Sequence, residues 1–250
     1  MTDKHQSSAD ASARDAAFQN TLWTQVFAAG KFHSPQSRQA LEELCRLYWY
    51  PIYAFVRRKG TGRQEARDLT QGFFVYLLEA NLVGRADPDR GRFRSFLLGI
   101  LQNFLRSQKA KDSALKRGGG AKIVSIDEET AEGRYAHEPA TVVTPETLFD
   151  RRWALTVLEQ AIQRLRAEYA RAKMGELFDT LQPYLTGDGV IGFADLGARI
   201  DKSEGAARVL LFRFRTRFRQ LIRAVIADTV SDLDQVEQEL KHLQAVLREN

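Results

Sequence analysis

Apolar residues recur every three to four positions along most of this 250-residue chain, and no stretch alternates with the two-residue period of a strand. That period predicts helices nearly everywhere and an all-α fold. Between 37 and 58, Leu41, Leu44, Cys45, Tyr48, Trp49, Ile52, Phe55 and Val56 form one stripe of an amphipathic helix. Pro51 is expected to kink or split it, and Gly60 and Gly62 to end it. A second helix, from about Gln64 to Asn81, aligns Leu69, Phe73, Tyr76, Leu77 and Ala80. Asp68, Gln71, Val75 and Leu78 make a further face on it, either packed inside or docked on a partner. Turn formers from Gly84 to Gly91 predict a loop. A third helix from Phe93 then lines up Phe93, Phe96, Leu97, Ile100, Leu101, Phe104 and Leu105.

The second half repeats the helical pattern. Leu148, Trp153, Leu155, Leu158, Ile162 and Leu165 mark a long helix, and Met174 to Leu185 another, interrupted by Pro183. A short helix from Phe193 to Ile200 is followed by a turn at Asp201 and Lys202. Ser203 suits the N-cap of a last long helix through about Ala227, on which Ala207, Leu210, Leu211, Phe214, Phe218, Leu221, Ile222 and Val225 face the core. The tail from Asp232 to Arg248 predicts one more amphipathic helix, with Leu233, Val236, Leu240, Leu243 and Leu247 on one side. The expected divisions are a disordered terminus (1–22), a helical domain (23–111), a flexible acidic linker (112–148), a helix-turn-helix domain (149–227) and a helical extension (228–250). In 112–148, lost period, three consecutive glycines and two prolines argue for the linker.

Charge is distributed in blocks. The net charge is +5 overall. Arg85 to Lys122 carries ten bases and three acids, and Gly205 to Arg223 six arginines and no acid. Ile123 to Asp150 carries seven acids and one base, and Asp228 to Asn250 six acids and two bases. Two basic segments separated by an acidic one predict two contacts with a polyanion. Arg208, Phe212, Arg215, Arg219 and Arg223 share a face of the last long helix, with Arg213 and Arg217 beside them. Guanidinium groups in such a row neutralise phosphates and grip guanine edges in a major groove. A solvated basic face, or arginines paired with acids elsewhere, is the alternative; no acid lies within Gly205–Arg223, so local pairing cannot explain them. Around the third helix, Arg92, Phe93, Arg94, Asn103 and Arg106 interleave bases with rings, the pattern that suits single strands.

Other chemistries find little support. There is no phosphate-cradling glycine loop, no nucleophile elbow and no ligand-like histidine spacing. His5, His33, His137 and His242 read as solvent-facing, and Cys45, the single cysteine, as a buried structural thiol. No enzyme activity, metal or cofactor is expected. No apolar run spans a membrane, and Met1 to Ala17 lacks the apolar core of a secretory signal, so a cytoplasmic chain is expected.

The order of these parts resembles the bacterial sigma-70 family of RNA polymerase initiation factors, in its short extracytoplasmic-function (ECF) form. Leu41-Glu-Glu-Leu-Cys-Arg-Leu-Tyr-Trp-Tyr-Pro-Ile-Tyr through Asp68-Leu-Thr-Gln-Gly-Phe-Phe resembles its opening helices and core-polymerase motif. Phe93 through Leu105 resembles the helix that melts and reads the −10 element, and Phe193 through Arg219 the helix-turn-helix that reads the −35 element. The resemblance implies core RNA polymerase as partner, bound by Asp68, Gln71, Phe74 and Leu78. It implies promoter DNA as the second partner. Ser203, Arg208, Arg213, Arg215, Arg217 and Arg219 would lie at the −35 duplex. Arg92, Phe93, Arg94, Asn103 and Arg106 would lie at the −10 non-template strand, with a flipped base held by the loop Gly84–Arg92. The acidic linker would follow the polymerase's RNA path, and the family leaves room for an inhibitory anti-sigma partner. Where the family usually has glycine at the turn, this chain has Asp201, which tolerates left-handed backbone better than most residues. A stand-alone helix-turn-helix regulator with a helical sensor domain is the chief rival. A small nuclease is a third reading and needs clustered carboxylates.

Overall fold

A computed structural model of the chain describes residues 35–80, 82, 92–112, 128–136, 144–185, 192–230 and 233–248. Among them every regular element is helical, so the fold is all-α. The helices are α1 (Pro35–Arg58), α2 (Arg63–Glu79), α3 (Phe93–Asp112), α4 (Glu128–Ala136), α5 (Pro145–Arg171), α6 (Gly175–Leu181), α7 (Phe193–Arg199), α8 (Glu204–Ala227) and α9 (Leu233–Arg248). A 3₁₀ turn, Gln182–Tyr184, follows α6 at Pro183. The expected terminus 1–22, His5, His33, His137 and most of the loop Gly84–Arg92 lie outside the described residues.

Two compact units result, and their boundaries fall inside helices: residues up to Leu155 with Ala227–Asn250 form the first, and Thr156–Ile226 the second. The second unit begins at Thr156 rather than at 149, and these limits differ from the sequence divisions in two further places. Residues 128–136 of the expected linker form α4, and the expected extension contributes α9 to the first unit.

The reason lies in α1. From Leu44 to Val56 its expected stripe is buried, but so are Leu47, Tyr50, Tyr53 and Ala54, leaving few faces of this stretch for solvent. A helix apolar on nearly all sides needs partners on nearly all sides. α4 covers the face with Tyr50 and Tyr53. Glu132 accepts a hydrogen bond from the Tyr53 hydroxyl, and two from Arg57 at 3.2 and 2.7 Å. Arg134 lies over the Tyr50 ring at 4.3 Å and Arg57 over Tyr135 at 4.7 Å. The Arg57 guanidinium holds the Glu132 carboxyl below its ordinary range, and Glu132 in turn raises Arg57. Another part of α1 meets α5, where Tyr48 and Phe55 pack against Phe149. The helix runs through Pro51 without interruption, Pro51 itself being buried in this packing. Cys45 is buried as expected, and burial pushes its thiol up to about 12.

The second unit is built around three rings. Tyr169 of α5, Phe178 of α6 and Phe214 of α8 meet pairwise with centroids 5.4 to 6.0 Å apart. Such edge-to-face packing fixes orientation as well as burying area. Ala207, Leu211, Phe214, Leu221, Ile222 and Val225 of the expected α8 stripe are buried, while Leu210 and Phe218 are half-buried. No helix among the described residues is long and apolar enough to cross a membrane.

Candidate nucleic-acid interface

α7, a four-residue turn and α8 make a helix-turn-helix in the second unit. The turn is closed by backbone bonds. Asp201 takes a left-handed φ of 53°, so its side chain type does the work usually given to glycine. This lets the Lys202 N–H reach the Gly197 carbonyl at 2.9 Å and the Asp201 N–H reach Ala198 at 3.5 Å, the paired bonds of a Schellman ending. Ser203 caps α8, its Oγ accepting from the Ala206 N–H at 3.3 Å. The turn is so tight that a Cβ on Gly197 would stand 2.7 Å from the Lys202 carbonyl oxygen. Only glycine fits there without movement.

The arginines of α8 divide by what they touch. Arg215 donates from Nε and Nη2 to the Tyr184 carbonyl at 3.2 and 2.9 Å, tying α8 to the end of the 3₁₀ turn. Arg217 makes a two-pronged pair with Glu168 of α5 at 2.9 and 2.6 Å. That pair holds the Glu168 carboxyl below its ordinary range and raises Arg217. Arg208 bonds Glu204 at 3.0 Å and lies 4.8 Å from the Phe193 ring centre. Arg213 and Arg219 are exposed and have no partner among the described residues. They flank an outward strip with Val209, 51% exposed, and Phe212, 66% exposed. Acids outside Gly205–Arg223, which counting within the segment cannot reveal, therefore explain part of the arginine content.

In the first unit the assigned residues separate more sharply. Arg94 is 6% exposed, pairs with Asp150 and with Glu239 of α9, and lies 5.1 Å from the Trp153 ring centre. In this structure its guanidinium is engaged in a buried ion network and is not presented at the surface. Arg92 is half-buried, 3.7 Å from Glu239. Phe93 is half-buried and packs edge-on against Tyr48, 5.8 Å away. Asn103 and Arg106 are exposed and bonded to each other. Arg106 also lines a groove of about 300 Å³ with Lys59, Glu65, Leu69 and Lys109.

On α2, Asp68 is exposed and accepts from Gln64 at 3.2 Å, while Gln71, Val75 and Leu78 are half-buried along the same face. Phe74 is not on that face. It is 4% exposed and packs on Phe73, one of the stripe Ala66, Thr70, Phe73, Phe74 and Leu77 that faces the core. Sequence reading also missed His242, which is not solvent-facing: it lies 3.3 Å from Asp150 and beside Trp153. Glu239 had a signal, since it sits between Val236 and Leu243 on the buried side of α9, and a charge there demands a partner. Among the described residues no three His, Cys, Asp or Glu side chains gather as a metal site. No family model, curated protein or solved structure matches the chain.

Proposed function

We propose that the chain is a sigma factor of the ECF kind, which binds core RNA polymerase and directs promoter recognition, strand opening and transcription initiation, without catalysis or cofactor of its own. The observation that carries this reading is the helix-turn-helix whose α8 presents Arg213 and Arg219, unpaired among the described residues, beside the exposed Val209 and Phe212. A helix of this kind fits a major groove, and unspent guanidinium groups supply its phosphate and base contacts. Asp68, Gln71 and Leu78 on one accessible face of α2 form the polymerase contact. Asn103 and Arg106 on α3 face the opened −10 strand.

The burial of Phe74, which removes one assigned polymerase contact from the surface, favours the stand-alone regulator as second reading. Run-off transcription with purified core polymerase on genomic fragments separates the two. The sigma reading expects product, co-purification with core enzyme and weak binding to free duplex. Arg213→Ala with Arg219→Ala then lowers promoter binding and flattens its salt dependence by about 0.9 in log–log slope for each phosphate left unneutralised. Asp68→Ala with Gln71→Ala instead lowers core binding. Tight duplex binding by the chain alone, with no product when core enzyme is added, overturns the sigma reading in favour of the regulator.

A further inference from the structure

The first unit contains a cationic site that is already filled from within the chain. Arg92 and Arg94 stand at the start of α3, and both turn to the same carboxylate, that of Glu239: Nε of Arg94 is 3.4 Å from Oε2 and Nε of Arg92 is 3.7 Å from Oε1. The Glu239 side chain is 3% exposed, and its Oε1 accepts no hydrogen bond from the described residues. Arg94 Nη1 also pairs with Asp150, so the two cations lie over both oxygens of Glu239 with a second carboxylate beside them, against the face of Trp153; two guanidinium groups over two oxygens is the arrangement a phosphodiester takes. A carboxylate with one oxygen left without a donor fills that site incompletely. Among the described residues of α9, which brings it, Val236 and Leu243 are buried, Leu240, Val246 and Leu247 are half-buried, and His242 adds contacts with Asp150 and Trp153.

We propose that α9 is an internal cover, with Glu239 standing in for a nucleic-acid phosphate at Arg92 and Arg94. The first unit then takes a single strand at this site only when α9 lifts from it. The inference rests on the reading of the first unit as a strand-binding domain, and it adds the means by which free protein is kept from DNA. Displacement is a competition between anions, so the strand and α9 oppose each other reciprocally.

The test uses the full chain and a fluorescein-labelled single-stranded DNA oligonucleotide, read by anisotropy at low salt. Glu239→Gln keeps the side chain's size and removes its charge; it is expected to tighten binding roughly five- to tenfold, the low end of ordinary coupling factors. Asp234→Asn makes the same charge change at an exposed position of α9 and is expected to leave binding unchanged. In the wild type, backbone amides of α9 are expected to lose hydrogen-exchange protection when the oligonucleotide binds, a readout that stands if the variant fails to fold. Equal gains from both variants, no gain from Glu239→Gln, or α9 amides still protected with DNA bound would each overturn the proposal. Run-off transcription by the wild type keeps the two questions apart: no product with core enzyme sinks the sigma reading, while a gain confined to Glu239→Gln upholds the cover.

Discussion

Replacing Gly197 by alanine tests how tightly the helix-turn-helix closes. The new Cβ would stand 2.7 Å from the Lys202 carbonyl oxygen and 3.3 Å from the Glu204 amide nitrogen, and both neighbours are backbone. Neither can swing aside as a side chain tip can, so the turn itself must open. Overpacking of this kind costs about 1–3 kcal/mol. Against it, alanine within a helix gains about 0.5–1 kcal/mol over glycine. The net expectation is a loss of up to about 2.5 kcal/mol, centred on about 1 kcal/mol, which lowers the melting midpoint by about 2–4 °C per kcal/mol in a chain of this length. Gly205→Ala is the matched control, since nothing lies within 4 Å of its Cβ position in the same motif. It is expected to hold or slightly raise stability. Circular-dichroism melts of the three proteins decide the matter, with duplex binding measured alongside. A Gly197→Ala protein that melts at or above the wild type would refute the claim that α7 and the turn meet in van der Waals contact.

Arg94→Ala strips the cation from between two carboxylates of the first unit, the buried Glu239 and the half-buried Asp150. An ion pair broken on one side in this way costs about 3–5 kcal/mol. Urea unfolding measures it, and a loss under about 1 kcal/mol would contradict the network. Acid stability is also set by pairs. Glu132 and Glu168 have folded values held below those of the unfolded chain by Arg57 and Arg217. Their stabilisation is therefore complete above the ordinary carboxylate range and is lost as pH falls through the lowered folded values. Urea midpoints followed from neutral to acid pH should fall less steeply for Glu132→Gln and Glu168→Gln than for the wild type, and parallel curves would remove these pairs from the explanation.

The local helical pattern was largely legible. The described residues of the α1, α3 and α8 stripes reappear as buried faces, apart from Phe93, Phe96, Ile100, Leu210 and Phe218, which are half-buried, because a 3.6-residue period gathers its apolar side chains on one side. Ser203 as cap and Asp201 as left-handed turn residue were also legible, being matters of local backbone chemistry. What escaped were the partners supplied from far along the chain. Arg94 and Arg106 look alike as letters, yet one is enclosed by Asp150 and Glu239 and the other is exposed. Arg217 meets Glu168, 49 positions away, while Arg213 on the same helix meets no partner among the described residues. Phe74 was misplaced for a related reason: a motif names a residue but not the side of the helix that its neighbours leave open. The period of Ala66, Thr70, Phe73, Phe74 and Leu77 settles it once Thr70 is allowed inside, its hydroxyl donating to the Ala66 carbonyl at 2.7 Å.

Because α9 belongs to the first unit, that unit is discontinuous in the order of synthesis. A ribosome delivers α1 to α5 well before residues 233–248, and domains ordinarily fold as they emerge. Here Arg94 must wait for Glu239 while the whole helix-turn-helix is translated in between. The nascent protein therefore passes through a period in which this half is short of one of its counter-ions, and its maturation waits on the synthesis of residues 233–248.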